Sequence, residues 1–246
     1  MDQRSSRLAA LGAWLGGAAM VLGGGGVALA AAGVVQPIAG FAAFAFLGGL
    51  LSILAVVTSG LALRATRAGS GLSGRDRAWF GLMAGGAMLV LVLRGASAGA
   101  GLPRINDITT NPSDPPNFEA VTRNPETSGR DWSYPPGFAE QQRAGYPDLA
   151  PLALAAPPDQ AFERAIAAMT ALGIEVTASD KTHGTIEGRQ TSKLFHFVDD
   201  VAIRIRPGAS GGSVIDIRSK SRVGKGDLCA NAKRIRAIAT EIATEP

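Results

Sequence analysis

The stretch DDVAIRIRPGASGGSVIDIRSKSRVG, residues 199–224, decides the fold of the second half of this chain. Val201, Ile203 and Ile205 fall on one side of an alternating run, and Arg204 and Arg206 on the other. After ASGG (209–212) the alternation resumes, with Ile215 and Ile217 against Asp216, Arg218, Lys220 and Arg222. A period of two marks a half-buried strand, and two such runs around a glycine-rich break make a β-hairpin. The aliphatic set faces a core, and five basic side chains share the opposite face.

Upstream of the hairpin, GTIEGRQTSKLFHF (184–197) predicts another strand, kinked near Ser192, and IEVTASD (174–180) a further one. Before them, PPDQAFERAIAAMTALG (157–173) puts Phe162, Ile166, Met169 and Leu172 on one helical stripe, with Asp159 near its start and Gly173 at its stop. Downstream, Asp227 is a good N-cap for a helix carrying Leu228, Ala232 (or Asn231), Ile235, Ile238 and Ile242 at helical spacing. The order helix, four strands, helix predicts an α+β two-layer sandwich over 151–246. Its four-stranded antiparallel sheet holds both helices on the apolar face.

Residues 105–150 read differently. Pro follows Asn or Asp at 112, 115 and 125 and doubles at 115–116 and 135–136, which favours turns and extended chain. Trp132, Tyr134, Phe138 and Tyr146 are too aromatic for a solvated linker, so an extended N-terminal strap lying on the sandwich is expected.

Residues 1–104 form an α-helical membrane region of three spans. Between Arg7 and Arg64 stand 56 residues without Asp, Glu, Lys or Arg, and residues 78–102 are interrupted only by Arg94. About 20 apolar residues cross ~30 Å of hydrocarbon, so the first run holds two spans (8–32 and 38–63) and the second holds one. ALA at 28–30 resembles a signal-peptidase site. The apolar run is nevertheless far longer than the ~7–15 residues of a signal h-region, which speaks for a retained span. Arg4, Arg7 and the loop 64–77 with its four arginines predict a cytoplasmic N-terminus and a domain outside the cytoplasmic (inner) membrane. Gly12/Gly16 and Gly81/Gly85 allow close helix approach. That spacing serves packing among the chain's own spans first and a homodimer second. Arg94 is expected to anchor at the interface.

Charge excludes a nucleic-acid binder. Residues 1–104 carry 8 Arg against 2 Asp, and residues 105–246 carry 16 Lys and Arg against 18 acids. The excess flanks the spans, whereas a nucleic-acid domain concentrates it in the soluble part. The single cysteine, Cys229, rules out an intrachain disulfide and a cysteine-cluster metal site.

Three stretches, YPPGFAEQQRAGYPDLAPL, FVDDVAIRIRPG and VIDIRSKSRVGKGDLCANAKRIRAI, resemble the domain-of-unknown-function family numbered 1499, as does INDITTNPSDPPNF. The resemblance covers residues 105–243. It implies that strap and sandwich are one unit and that the spans are an attachment to it. It implies no activity, cofactor or catalytic residue.

Chemistry has few places to reside. Gly224-Lys225-Gly226 precedes a helix as phosphate loops do, but the Walker pattern sets its Lys after the second glycine and follows it with Ser or Thr. Here Asp227 follows and caps the helix itself. The expected anion site is therefore the basic sheet face, Arg204, Arg206, Arg218, Lys220 and Arg222, with Lys225 beside it. The competing expectation is that strap acids, among Asp107, Asp114, Glu119 and Asp131, lie across that face and pair with it. His196 with Asp199 and Asp200 is the weak alternative metal or hydrolytic site, although the two carboxylates read better as a turn between strands. No catalytic residue, metal or cofactor is assigned. The expected partners are the lipid bilayer and an anionic ligand or envelope protein. The expected function is a binding or scaffolding module of the cell envelope, with a hydrolase using His196 as the alternative.

Overall fold

A computed structural model describes residues 4–244 and divides into two units. The first runs to Ala98 and includes Ser192–His196; the second comprises Gly99–Thr191 and resumes at Phe197.

The first unit is built on three helices long and apolar enough to cross a membrane: α1 (Arg7–Ala31), α2 (Pro37–Ala65) and α3 (Arg75–Ser97). Ser6 caps α1 by accepting the Ala9 N–H at 3.3 Å, and Pro37 opens α2 where its missing N–H costs nothing. The glycines do what their spacing allows. A Cβ added at Gly16 would stand 2.8 Å from the Gly81 carbonyl, and one at Gly85 2.7 Å from Ala55 Cβ. They are occupied in the packing of the chain's own three helices. Both α1 and α2 open into a π-helical turn, Met20–Gly24 and Ala43–Gly48, and the turns meet where Gly23 faces Gly48. Two two-residue strands, β1 (Arg4–Ser5) and β2 (Leu72–Ser73), pair in parallel. Within the same unit the Phe195 ring lies 5.5 Å from Phe41 and 5.8 Å from Phe44.

The second unit is a helix-backed antiparallel sheet. Its strands are β3 (Asp107–Thr109), β4 (Leu152–Leu154), β5 (Glu175–Asp180), β6 (Thr185–Thr191), β7 (Val198–Pro207) and β8 (Ser213–Ser221). The order is β3-β8-β7-β6-β5, with β4 also on β8. The expected sandwich is present with six strands rather than four. The extra two fill the outer edge of β8 end to end, β3 opposite 218–220 and β4 opposite 213–215. Three-residue strands within proline-rich chain are too short to show alternation, which is why they read as strap. The expected kink near Ser192 is instead the end of β6, and a loop runs from there to Val198.

The helices are α4 (Ala120–Arg123), α5 (Phe138–Gly145), α6 (Pro158–Ala171) and α7 (Ala230–Thr244). Phe162 and Met169 of α6 and Ile235, Ile238 and Ile242 of α7 are buried on Val201, Ile203, Ile205, Ile215 and Ile217, forming the core. Gly173 ends α6 with φ +68, a conformation that favours glycine. Helix α7 starts two residues later than a cap at Asp227 implies, at Ala230 rather than Leu228. Asp227 accepts the N–H groups of Cys229 (3.0 Å) and Asn231 (2.7 Å), while Leu228 and Cys229 are left-handed at φ +51 and +64. Leu228, expected on the core stripe, is therefore exposed. The sheet's other face carries a smaller cluster of Phe118, Val121, Trp132 and Ala202, so the strap forms a third layer.

Candidate functional site

The strap closes over the basic face around one guanidinium. Arg218 is 1% exposed and Asp107 0%. Nε and Nη2 of Arg218 donate to the two Asp107 oxygens at 2.9 and 2.7 Å. The remaining donors reach the carbonyls of Pro116 (3.0 Å) and Trp132 (2.9 Å). The Phe118 and Tyr134 rings flank the cation at 4.8 and 5.6 Å. Lys220 Nζ adds donations to Asp107 (3.0 Å) and to the Ser133 carbonyl (3.1 Å). A buried charge is tolerable only when paired and fully hydrogen-bonded, and this one is both. It gathers strap residues 107, 116, 118, 132 and 134 into one structure. Burial beside Asp107 pushes the Tyr134 phenol up to about 12.

A second knot binds the other end of the sheet. Asp216, fully buried, accepts from Arg204 (2.8 Å) and Arg206 (2.7 Å), and both reach across to Asp114 of the strap. Hydrogen bonds from Arg204 hold the Asp114 carboxyl below the usual range. Arg222 forks onto Asp200 at 2.7 and 2.8 Å. Asp131 accepts from Ser133 and Glu119 pairs with Arg123, so of the four strap acids only Asp107 and Asp114 bridge to the basic face. The six basic groups are not one cluster. Arg206 stands opposite Val214, at the far end of β7 and β8 from Arg222 and the exposed Lys225 beyond it.

Asp199 and Asp200 lie inside β7, not in a turn, and both are buried. Asp199 forms an ion pair with Arg234 of α7 at 2.7 Å, Asp200 pairs with Arg222, and β-strand alternation sends them to opposite faces. The charged residues read as a turn because buried carboxylates are rare; their arginine partners, 22 and 35 residues downstream, are what make burial affordable. His196 sits exposed in the loop before β7 with φ +57. Among the described residues no group of three His, Cys, Asp or Glu is arranged to hold a metal ion.

Several polar residues carry the architecture without a signature in sequence. Gln142 of α5 donates to the Thr109 carbonyl (2.6 Å) and accepts the Thr109 N–H (2.9 Å), so one amide side chain completes edge strand β3. Glu187 accepts the N–H groups of Glu119, Ala120 and Val121 at 2.5–3.0 Å, an anion at the start of α4. Asn231, which the helical stripe offers as the alternative to Ala232, is buried as Ala232 is, and it bonds Ser219, Ser221 and the Asn106 carbonyl, partners that helical spacing does not show.

A sequence model described as "Protein of unknown function (DUF1499)" matches residues 107–242. The chain belongs to that family. In this DUF1499 protein the matched region begins at Asp107, the buried carboxylate of the Arg218 cage, and ends at Ile242, the last buried residue of α7. Strap, sheet and both packing helices thus lie inside the family domain, and the three apolar helices precede it. No curated protein matches the chain.

Proposed function

We propose that this chain is a membrane-anchored module of the cell envelope that binds or scaffolds rather than catalyses. In this reading it sits in the cytoplasmic membrane, its N-terminus inside and its DUF1499 domain on the periplasmic side. The observation that carries the scaffolding reading is the pairing of the basic sheet face. Each of Arg204, Arg206, Arg218, Lys220 and Arg222 is held by a carboxylate. Two of those carboxylates, Asp107 and Asp114, come from the strap. The same charges that suggest an open anion site are the means by which the strap is fastened, producing a rigid, three-layered body. The orientation is supported by the arginines at 4, 7, 64, 67, 75 and 77, which flank the same ends of the spans.

The test is thermal melting of the full chain in nanodiscs, wild type beside Arg218→Ala/Arg222→Ala, with and without inorganic phosphate. A large loss of stability in the double variant, with no phosphate-induced shift in wild type, is the expected result. A phosphate-induced rise in wild type that the double variant loses would make the face an open anion site and overturn the scaffolding reading.

A further inference from the structure

The loop 222–228, set aside above as a phosphate loop, has an unusual surface. In the second unit the large apolar side chains that remain exposed among the described residues are Val223 (37%) and Leu228 (45%). They bracket Gly224-Lys225-Gly226-Asp227 in a loop that is otherwise glycine and charge. Leu228 also holds a left-handed backbone, φ +51, where a residue with a Cβ is strained and glycine is not. A leucine kept in such a place while its side chain faces outward serves something other than the core.

We propose that this loop, together with Arg104, is a lipid-facing anchor: Val223 and Leu228 enter the interfacial layer of the bilayer, and Lys225 and Arg104 engage the phosphates of anionic headgroups. The proposal rests on the three apolar helices and not on the scaffolding reading of the strap.

Connectivity argues for the bilayer as the occupant. Leu228 lies against Gly99: a Cβ on Gly99 would stand 3.0 Å from Leu228 Cδ2. Gly99 is two residues beyond Ser97, the last residue of α3, and two residues of chain reach no more than about 7 Å. Leu228 thus packs on the stretch of chain that follows directly on an apolar span in the sequence. The loop is also tied to the incoming chain. Asn106 Nδ2 donates to the Gly224 carbonyl at 2.7 Å, and Gly226 packs on the Arg104 backbone, 3.4 Å from a Cβ position to Arg104 Cα. Arg130 Nη1 grips the Arg222 carbonyl at 2.5 Å.

Charge agrees. Arg104 and Lys225 are exposed, and the one acid of the loop is turned inward: Asp227 spends its oxygens on Cys229 and Asn231 N–H groups. Apolar side chains beside outward cations are the composition of an interfacial contact, where aliphatic groups sit some 5–10 Å into the boundary and cations face the phosphates.

The experiment places a nitroxide at Val223→Cys and, as a reference, at Thr182→Cys in the exposed turn between β5 and β6, at the opposite end of the sheet. Wild type serves as the labelling blank, because Cys229 is buried. The full chain goes into nanodiscs of phosphatidylcholine alone or with phosphatidylglycerol, and oxygen and a water-soluble nickel chelate report depth. Expected is a label at 223 lying within about 10 Å below the phosphate plane, deeper with phosphatidylglycerol, while 182 stays aqueous in both. Lys225→Glu should shift the 223 label toward water about fivefold or more with phosphatidylglycerol, with the melting temperature unchanged. An aqueous label at 223 in both bilayers overturns the proposal. So does a label shielded from oxygen and nickel alike, which would mean a protein partner or second copy. A depth indifferent to phosphatidylglycerol and to Lys225→Glu overturns the headgroup assignment.

Discussion

At the scale of single residues, one guanidinium decides whether the strap is part of the domain. Arg218→Ala would leave Asp107 buried with Lys220 as its only cation and would strip the Pro116 and Trp132 carbonyls of their donor. Breaking a buried pair in this way costs about 3–5 kcal/mol, enough to release the strap, and in a chain with Trp14 and Trp79 replaced by Phe the emission of the buried Trp132 should shift to the red. Arg218→Lys keeps the charge but not the fork, so it should recover only part of the loss. Asp114 gives a pH signature. Its pKa is lowered in the folded state by Arg204 and then Arg206. Its contribution is thus complete above the unfolded value of about 4 and is lost as pH falls through the folded value. Asp114→Asn should lower the melting temperature at pH 7 and match wild type once both are taken well below pH 4. Asp227, raised by burial, titrates with the opposite sign, favouring the folded state as it gains its proton. The strained Leu228 offers a third check. In detergent, away from a bilayer, Leu228→Gly should raise stability by up to about 1 kcal/mol. An anchoring role requires the same change to weaken the lipid contact.

At the scale of elements, legibility followed length. Helices α6 and α7 carry four or more core residues at a helical period, strands β7 and β8 carry three and two on one alternating face over nine or ten residues, and these faces came out as the periods assign them. Strands β3 and β4 have three residues each and no period to read, and their pairing is settled by what lies across β8. The site shows the same limit. Alternation put Arg204, Arg206, Arg218, Lys220 and Arg222 on one face, and the acidic strap was a candidate to cover it. Which acids reach the face depends on register, and Asp107 and Asp114 do while Glu119 and Asp131 do not. A buried amide such as Gln142 is invisible in sequence, because a polar residue gives no sign of burial until its partners are placed. Gln142→Leu would keep the volume but leave both Thr109 backbone groups without partners, at a cost of about 1–3 kcal/mol for each buried group. Hydrogen exchange should show the Thr109 amide losing protection while the β7–β8 ladder keeps its own. Equal loss across the sheet would mean that Gln142 supports the whole sheet rather than its edge.

At the scale of the whole molecule, the chain is divided by charge into a region whose arginines flank apolar helices and a domain whose many charges are consumed internally. On the proposed reading the first pattern governs insertion and the second governs folding, so the two should respond to different perturbations. The loop 64–77 is the place to separate them. Its arginines 64, 67, 75 and 77 lie between α2 and α3, and Arg75 also donates to the Leu63 carbonyl at 3.1 Å. If they hold that loop in the cytoplasm, a phosphatase fused after Pro246, active only when exported, should be active on the wild-type chain. Replacing Arg64, Arg67 and Arg77 with Asn, while keeping Arg75 for its structural bond, should cut that activity several-fold as orientation becomes mixed. Melting of the correctly inserted fraction should not change, because no residue of the Arg218 or Asp216 networks is touched. The opposite change, Arg218→Ala, should release the strap and destabilise the domain yet leave the phosphatase exported. Loss of export with Arg218→Ala would tie insertion to the folded domain, and an inactive wild-type fusion would place the domain in the cytoplasm.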